Sequence, residues 1–328
     1  MDKKLQLIFQ SYLSARIQPL PKYKNIDDIL NKQQLATMMA HLPLKYLINI
    51  KQIINISKSV LSTLFQNNLD YGKQAYTVAD KIIKYNQFNK EAFLVIQNNL
   101  NASKAYFDYR QGNYKSAKKN LQIALKACII LVNKYDYNFL QGRPIHLACN
   151  LVKVEACSGN REKAIKIACY LINNIEGKYN SLLYNDIDLL QPVQHLSFKN
   201  ESYLLIQVFE EVAKLLASCQ DKESNELINL ATDFLEECNS RSDTQTHREY
   251  TWFKNKQSLA QGKIDDFLEQ SSKFLAEGRG SCKLLWHATV LDVLKICQNI
   301  DSEISRKLQK QIREDFANYK YLPSILKA

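Results

Sequence analysis

The adjacent acidic pairs Glu210-Glu211, Glu236-Glu237 and Asp265-Asp266 are carboxylate groupings that could in principle share acid and base work. Neighbours at i and i+1 on a helix point in different directions, so these pairs predict solvated faces rather than a couple converging on a substrate. The eight cysteines, Cys128, Cys149, Cys157, Cys169, Cys219, Cys238, Cys282 and Cys297, include no CxxC pair, and the five histidines are scattered. A zinc site needs ligands close in sequence. The cysteines therefore read as reduced core residues, and neither a metal nor a cofactor is expected. GxSxG, a Gly-rich phosphate loop and HExxH are all missing from the sequence. The expectation is a protein that is not an enzyme.

Whatever positions a binding residue here must be helical. The 328 residues are 46% hydrophobic, enough to bury a sizeable core, yet they include only 8 Gly and 6 Pro. A sandwich or barrel needs frequent turn signals, and a doubly wound α/β fold needs Gly at its strand-to-helix corners. The class is therefore all-α. No apolar run of signal-peptide type follows Met1-Asp2-Lys3-Lys4, and no 18-residue stretch is free of charged or strongly polar residues. A cytoplasmic protein with no membrane insertion is expected.

The net charge of +11 is unevenly spread: +6 over 1–58, −1 over 59–80, +10 over 81–178, −8 over 179–278 and +4 over 279–328. Such asymmetry predicts a polar partner: nucleic acid, an acidic peptide, or the oppositely charged half of a second copy in a homo-oligomer.

Along the chain, Leu5–Ile17 reads as a short helix that breaks at Pro19 and Pro21. Apolar residues from Ile50 to Phe65 recur at 3–4 spacing, which predicts a long amphipathic helix. The polar run NSRSDTQTHR at 239–248 is the expected nickable loop, and 283–298 with 302–318 form a closing helix pair before Pro323. The organisation expected is an N-terminal helical cap (1–56), helical repeats (57–278) and closing helices (279–328).

A short pattern recurs in the middle. The run NASKAYFDYRQGNYKSAKKNLQIALKA ends at Ala127 and places Ala105, Gly112, Tyr114, Ala117, Leu121 and Ala124 in order. LVKVEACSGNREKAIKIACYLI repeats the frame with Val152, Gly159, Ala164, Ala168 and Leu171. Weaker fits lie at Asp70-Tyr71-Gly72 with Ala75 and Ala79, at Asp221 with Leu227 and Leu235, and at Gly262 with Phe267 and Phe274. This pattern resembles the tetratricopeptide repeat, a helix-turn-helix unit of about 34 residues whose small residues let paired helices interlock. The turn intervals of 42, 47, 62 and 41 are longer than that period. The resemblance implies an α-α superhelix, a solenoid of stacked hairpins with a concave groove that binds extended or helical peptides.

In the register so implied, Asn99, Tyr106, Tyr109 and Arg110 face the groove from one unit, and His146, Cys149, Asn150 and Lys153 from the next. Asn can donate and accept together along a peptide backbone, and Arg or Lys can hold a carboxylate. The mixture suits a protein or an acidic or C-terminal peptide, although the family's carboxylate clamp is not reproduced. The function expected is a non-catalytic adaptor or assembly factor. The competing expectation is nucleic acid. Asn31–Ile50 resembles a helix-turn-helix, with Lys45 and Asn49 on its second helix, as in a peptide-sensing transcriptional regulator. Lys115, Lys118 and Lys119 could contact RNA backbone, with Tyr109 and Tyr114 for stacking.

Overall fold

The computed structural model of the protein describes residues 1–16, 36–64, 69–177, 198–236, 248–319 and 322–326. Among the described residues the chain is all-α, with no strand. After a short helical stretch at 36–41, which follows α1 (Asp2–Arg16), come α2 (Leu44–Leu64), α3 (Leu69–Tyr85), α4 (Lys90–Arg110), α5 (Tyr114–Tyr135), α6 (Arg143–Cys157) and α7 (Arg161–Ile175). The remainder is α8 (Phe198–Ala217), α9 (Asp221–Glu236), α10 (Arg248–Ala260), α11 (Ile264–Ala276), α12 (Lys283–Cys297) and α13 (Glu303–Asn318). No described helix is long and apolar enough to cross a membrane.

The chain divides into two compact units, one of residues 23–200 and one of 1–22 with 201–328. These boundaries differ from the division at 56 and 278 expected from the sequence. The N-terminal helix is counted with the C-terminal helices, not with the segment that follows it.

In the unit 23–200, consecutive helices pair as antiparallel hairpins, and each hairpin packs on the next in the manner of an α-α superhelix: α2 with α3, α4 with α5, α6 with α7, and α2 on α4. In the α4/α5 hairpin Ala105, Ala117 and Ala124 are all buried. Asn89 caps α4, its Oδ1 accepting from the Ala92 N–H at 2.8 Å. Gly112 ends the helix at φ +75°, where a Cβ would be strained. The N–H of Asn113 then closes on Asp108 O at 2.9 Å, the six-to-one bond of a Schellman ending. The same turn recurs at Gly159 (φ +88°), with Asn160 N–H on Glu155 O at 3.0 Å. In the other unit it recurs at Gly262 (φ +73°), with Lys263 N–H on Ser258 O at 2.9 Å.

Gly72 is not a turn residue. It lies inside α3, buried, and a Cβ there would stand 2.5 Å from Phe107 Cε2, so its role is to let α3 approach the ring. The repeat frame places a turn at this glycine, because nothing local distinguishes the two uses. Between α2, α3 and α4 a buried hydroxyl chain links the helices: Tyr76 Oη and Ser103 Oγ lie 2.7 Å apart, and Ser103 donates to Ser57 O at 3.2 Å.

In the unit of 1–22 and 201–328, Leu5, Ile8, Tyr12 and Ala15 form one buried stripe of α1, which packs on α11 and α13. Each such large apolar side chain contributes about 1.5–3 kcal/mol. The closing pair α12/α13 forms as expected, with Ser302 capping α13. The nickable loop expected at 239–248 falls almost wholly outside the described residues. Six of the seven described cysteines are buried thiols, and burial pushes Cys128 up to about 12 and Cys282 up to about 11. Cys157 departs from expectation: it is exposed.

Candidate functional site

Tyr106, Tyr109 and Arg110 fall on the last turns of α4 at i, i+3 and i+4, so one helix face carries all three. The rings of Tyr106 and Tyr109 stack with centroids 6.3 Å apart, and Tyr114, at the start of α5, adds a third ring 6.1 Å from Tyr109. The Arg110 guanidinium sits 6.0 Å from the Tyr106 centroid. From α6, Lys153 brings its Nζ to 4.7 Å over Tyr109, and Cys157 Sγ lies 3.5 Å from the Tyr109 hydroxyl. Helices of two consecutive hairpins therefore share one aromatic and cationic surface. Cation–π contacts at such an exposed place contribute about 0.5–1 kcal/mol each.

On α6 the residues His146, Asn150, Lys153 and Cys157 are spaced i, i+4, i+7 and i+11, a single stripe. On α4 the corresponding stripe is Asn99, Tyr106 and Arg110. The Lys153–Tyr109 contact sets the two stripes side by side at their C-terminal ends. Asn99 is half-buried and donates to Val95 O at 2.8 Å; Asn150 is half-buried and donates to His146 O at 3.2 Å. Both amides thus spend an N–H on their own helix. His146 is exposed, whereas Cys149 is buried.

Arg110 also has an architectural task. Its Nη1 donates to Leu64 O at 3.2 Å, in the last described turn of α2. The family-derived register gave Arg110 a groove position only. Its i+4 spacing from Tyr106 was legible; the reach to a helix 46 residues earlier was not.

The lysines read as phosphate contacts divide. Lys115 and Lys119 are exposed on α5. Lys118 is not available in the way expected, because its Nζ pairs with Glu155 Oε1 at 2.8 Å. Glu155, 1% exposed on α6, also meets Lys163 at 3.4 Å and accepts from Asn160 Nδ2 at 2.8 Å. Burial acts to raise its pKa, but the hydrogen bonds from Lys118 and Asn160 and the charges of Lys118 and Lys163 outweigh it and hold the carboxyl below its usual range. Glu155 is a buried hub that no sequence spacing marked.

In the segment resembling a helix-turn-helix, residues 31–35 lie outside the described residues. Lys45 is exposed, its Nζ 4.8 Å from the Tyr46 centroid, and Asn49 Nδ2 donates to Asn86 Oδ1 at 2.7 Å. Their helix, α2, is 21 residues long and buries Ile50, Ile53, Val60 and Leu64.

The acidic pairs do not all behave as solvated faces. Asp265 is largely exposed, but Glu210 packs where Leu284 N–H donates to it, close to Glu211, Lys214 and Lys283. Burial pushes its carboxyl up to about 7. Among the described residues no three His, Cys, Asp or Glu side chains cluster as a metal site would require.

No protein-family model matches the chain, and neither a curated protein nor a solved structure is significantly similar to it.

Proposed function

We propose that this chain is a non-catalytic adaptor or assembly factor of the cytoplasm that binds a protein or acidic peptide on the surface shared by α4 and α6. The observation that carries the reading is Lys153 seated over Tyr109 at 4.7 Å, which joins two hairpins into one face of rings and cations. Aromatic and Arg anchors supply most of the energy at protein interfaces, while charge steers the approach. The three matching glycine turns at 112, 159 and 262 support a tetratricopeptide-like solenoid as the scaffold. The basic 81–178 segment and the acidic 179–278 segment would also complement each other between copies in a homo-oligomer.

The test is a pull-down from lysate of the source cells at low and high salt, with and without nuclease, using wild type, Tyr109→Ala and Lys153→Ala. A salt-sensitive, nuclease-insensitive protein partner lost in both variants is the expected result. Full retention of the partner in both variants would remove the surface from consideration.

A second reading has its own observation. Exposed Lys115 and Lys119 lie on the helix that contributes Tyr114 to the ring cluster, an arrangement on which RNA bases could stack beside a neutralised backbone. Recovery of nucleic acid alone, lost in a Lys115→Ala/Lys119→Ala variant, would favour it. Binding of duplex DNA that depends on Lys45 and Asn49 would instead favour the transcriptional regulator.

A further inference from the structure

Helices α8, α9, α10 and α12, all in the unit of 1–22 and 201–328, surround a cavity of about 220 Å³. Two ion pairs line it. Lys256 of α10 holds Asp292 of α12 through both carboxylate oxygens, each 2.9 Å from Nζ. The two side chains are only 11% and 10% exposed. Lys295 of α12 meets Asp221 of α9 at 2.8 Å, and this pair is much more exposed. The rest of the wall is largely apolar, and Ala213, Ala217 and Ala288 keep the space open.

Such a combination is expensive for a structural core. Desolvating an ion pair costs about as much as its attraction returns, so an apolar pair would join α10 to α12 at least as well. A void beside it forfeits packing as well. Trp252 lies one turn before Lys256 on the same helix face, lines the cavity, and is 1% exposed. Structure that gives up stability in two ways at one place is what a ligand site requires.

We propose that this cavity binds a free α-amino acid with an aliphatic side chain. Its carboxylate is taken by Lys256, its ammonium by Asp292, and its side chain lies against the apolar wall. The charge balance decides the class. One buried cation, Lys256, faces one buried anion, Asp292, so a zwitterion leaves both charges paired, whereas a single-charge ligand leaves one of them unmatched in a low-dielectric space. A space of about 220 Å³ suits a small molecule and not a folded partner. This site goes beyond the peptide-binding reading and stands or falls separately from it, since it shares no residue with the α4/α6 surface.

The test is calorimetric titration and thermal melting of the full chain with leucine, and with isoleucine, valine and methionine, alongside 4-methylpentanoate and isoamylamine as single-charge analogues. Leucine at 10 mM is expected to raise Tm by about 2 °C or more, and the analogues to bind at least tenfold more weakly. Lys256→Met/Asp292→Leu removes both buried charges at similar volume and is expected to fold and lose the response. Ala217→Leu fills the cavity without touching a charge and is expected to lose it too, so it serves if the double variant does not fold. Absence of heat and melting shift with all four amino acids overturns the proposal. So does an equal response to the analogues, or an undiminished response in Ala217→Leu.

Discussion

The Tyr12 hydroxyl donates to Asp315 Oδ2 at 2.7 Å, joining side chains 303 residues apart in the chain. Arg16 Nη1 takes the other oxygen of the same carboxylate at 2.6 Å. One acidic side chain of α13 thus holds two turns of α1, while the Tyr12 ring stacks on Trp286 with centroids 5.5 Å apart. The N-terminal helix is part of the C-terminal core.

Asp315→Ala should therefore cost about 1–3 kcal/mol, because it leaves a buried hydroxyl and a half-buried guanidinium without their acceptor. Removal of residues 1–16 should cost more, since the stripe of Leu5, Ile8 and Tyr12 leaves α11 and α13 uncovered. Both tryptophans lie in this unit, so tryptophan emission during chemical denaturation reads its stability directly. An unchanged midpoint in the truncated chain would show that α1 contributes nothing.

His287 is fully buried among Trp286, Phe316 and Tyr319, and neither ring nitrogen has a hydrogen-bond partner among the described residues. Burial, reinforced by the charges of Lys283 and Arg279, lowers its pKa from 6.5 to about 3. Above pH 6.5 the ring is neutral folded and unfolded, and its contribution to stability is fully present. As pH falls from 6.5 towards 3, only the unfolded chain takes up the proton, so that contribution is lost. His287→Phe removes this proton uptake, so its Tm relative to wild type should rise as pH falls from 6.5 towards 3. A difference that stays constant across melting curves recorded from pH 7 to pH 3 would show that other groups set the acid limb.

Glu210 has the opposite sign. Its folded carboxyl is raised from 4.5 to about 7, so its contribution is fully present below pH 4.5 and is lost as pH rises through about 7. Glu210→Gln keeps an acceptor for the Leu284 N–H and removes the titration. The variant should melt higher than wild type at pH 8, with a smaller difference at pH 4.5. Equal Tm differences at the two values would contradict the assignment. Between pH 4.5 and 6.5 the Glu210 and His287 contributions change in opposite directions.

Gly72→Ala should destabilise the 23–200 unit by about 1–3 kcal/mol, because the new methyl would meet the Phe107 ring at 2.5 Å. Phe107→Leu in the same chain should restore part of that loss, and a double-mutant cycle measures the coupling. Gly112→Ala is a different case: nothing stands within 4 Å of its Cβ, so its cost of about 1 kcal/mol would come from the positive φ alone. It should show no coupling to Phe107.

The sequence by itself determined the class, most of the helices and three of the turns. Helix periodicity, caps and a positive-φ glycine are local, so Gly112, Gly159 and Gly262 could be placed from their neighbours. Tyr106, Tyr109 and Arg110 could likewise be put on one face from their spacing alone. Tertiary structure alone decided what met across the chain: Lys153 over Tyr109, Lys118 and Lys163 on Glu155, Tyr12 on Asp315, Phe107 against Gly72. A buried carboxylate and an exposed one share a residue type and a helical register. Which it becomes depends on the packing partner supplied from elsewhere in the chain, and a local pattern carries no record of that partner.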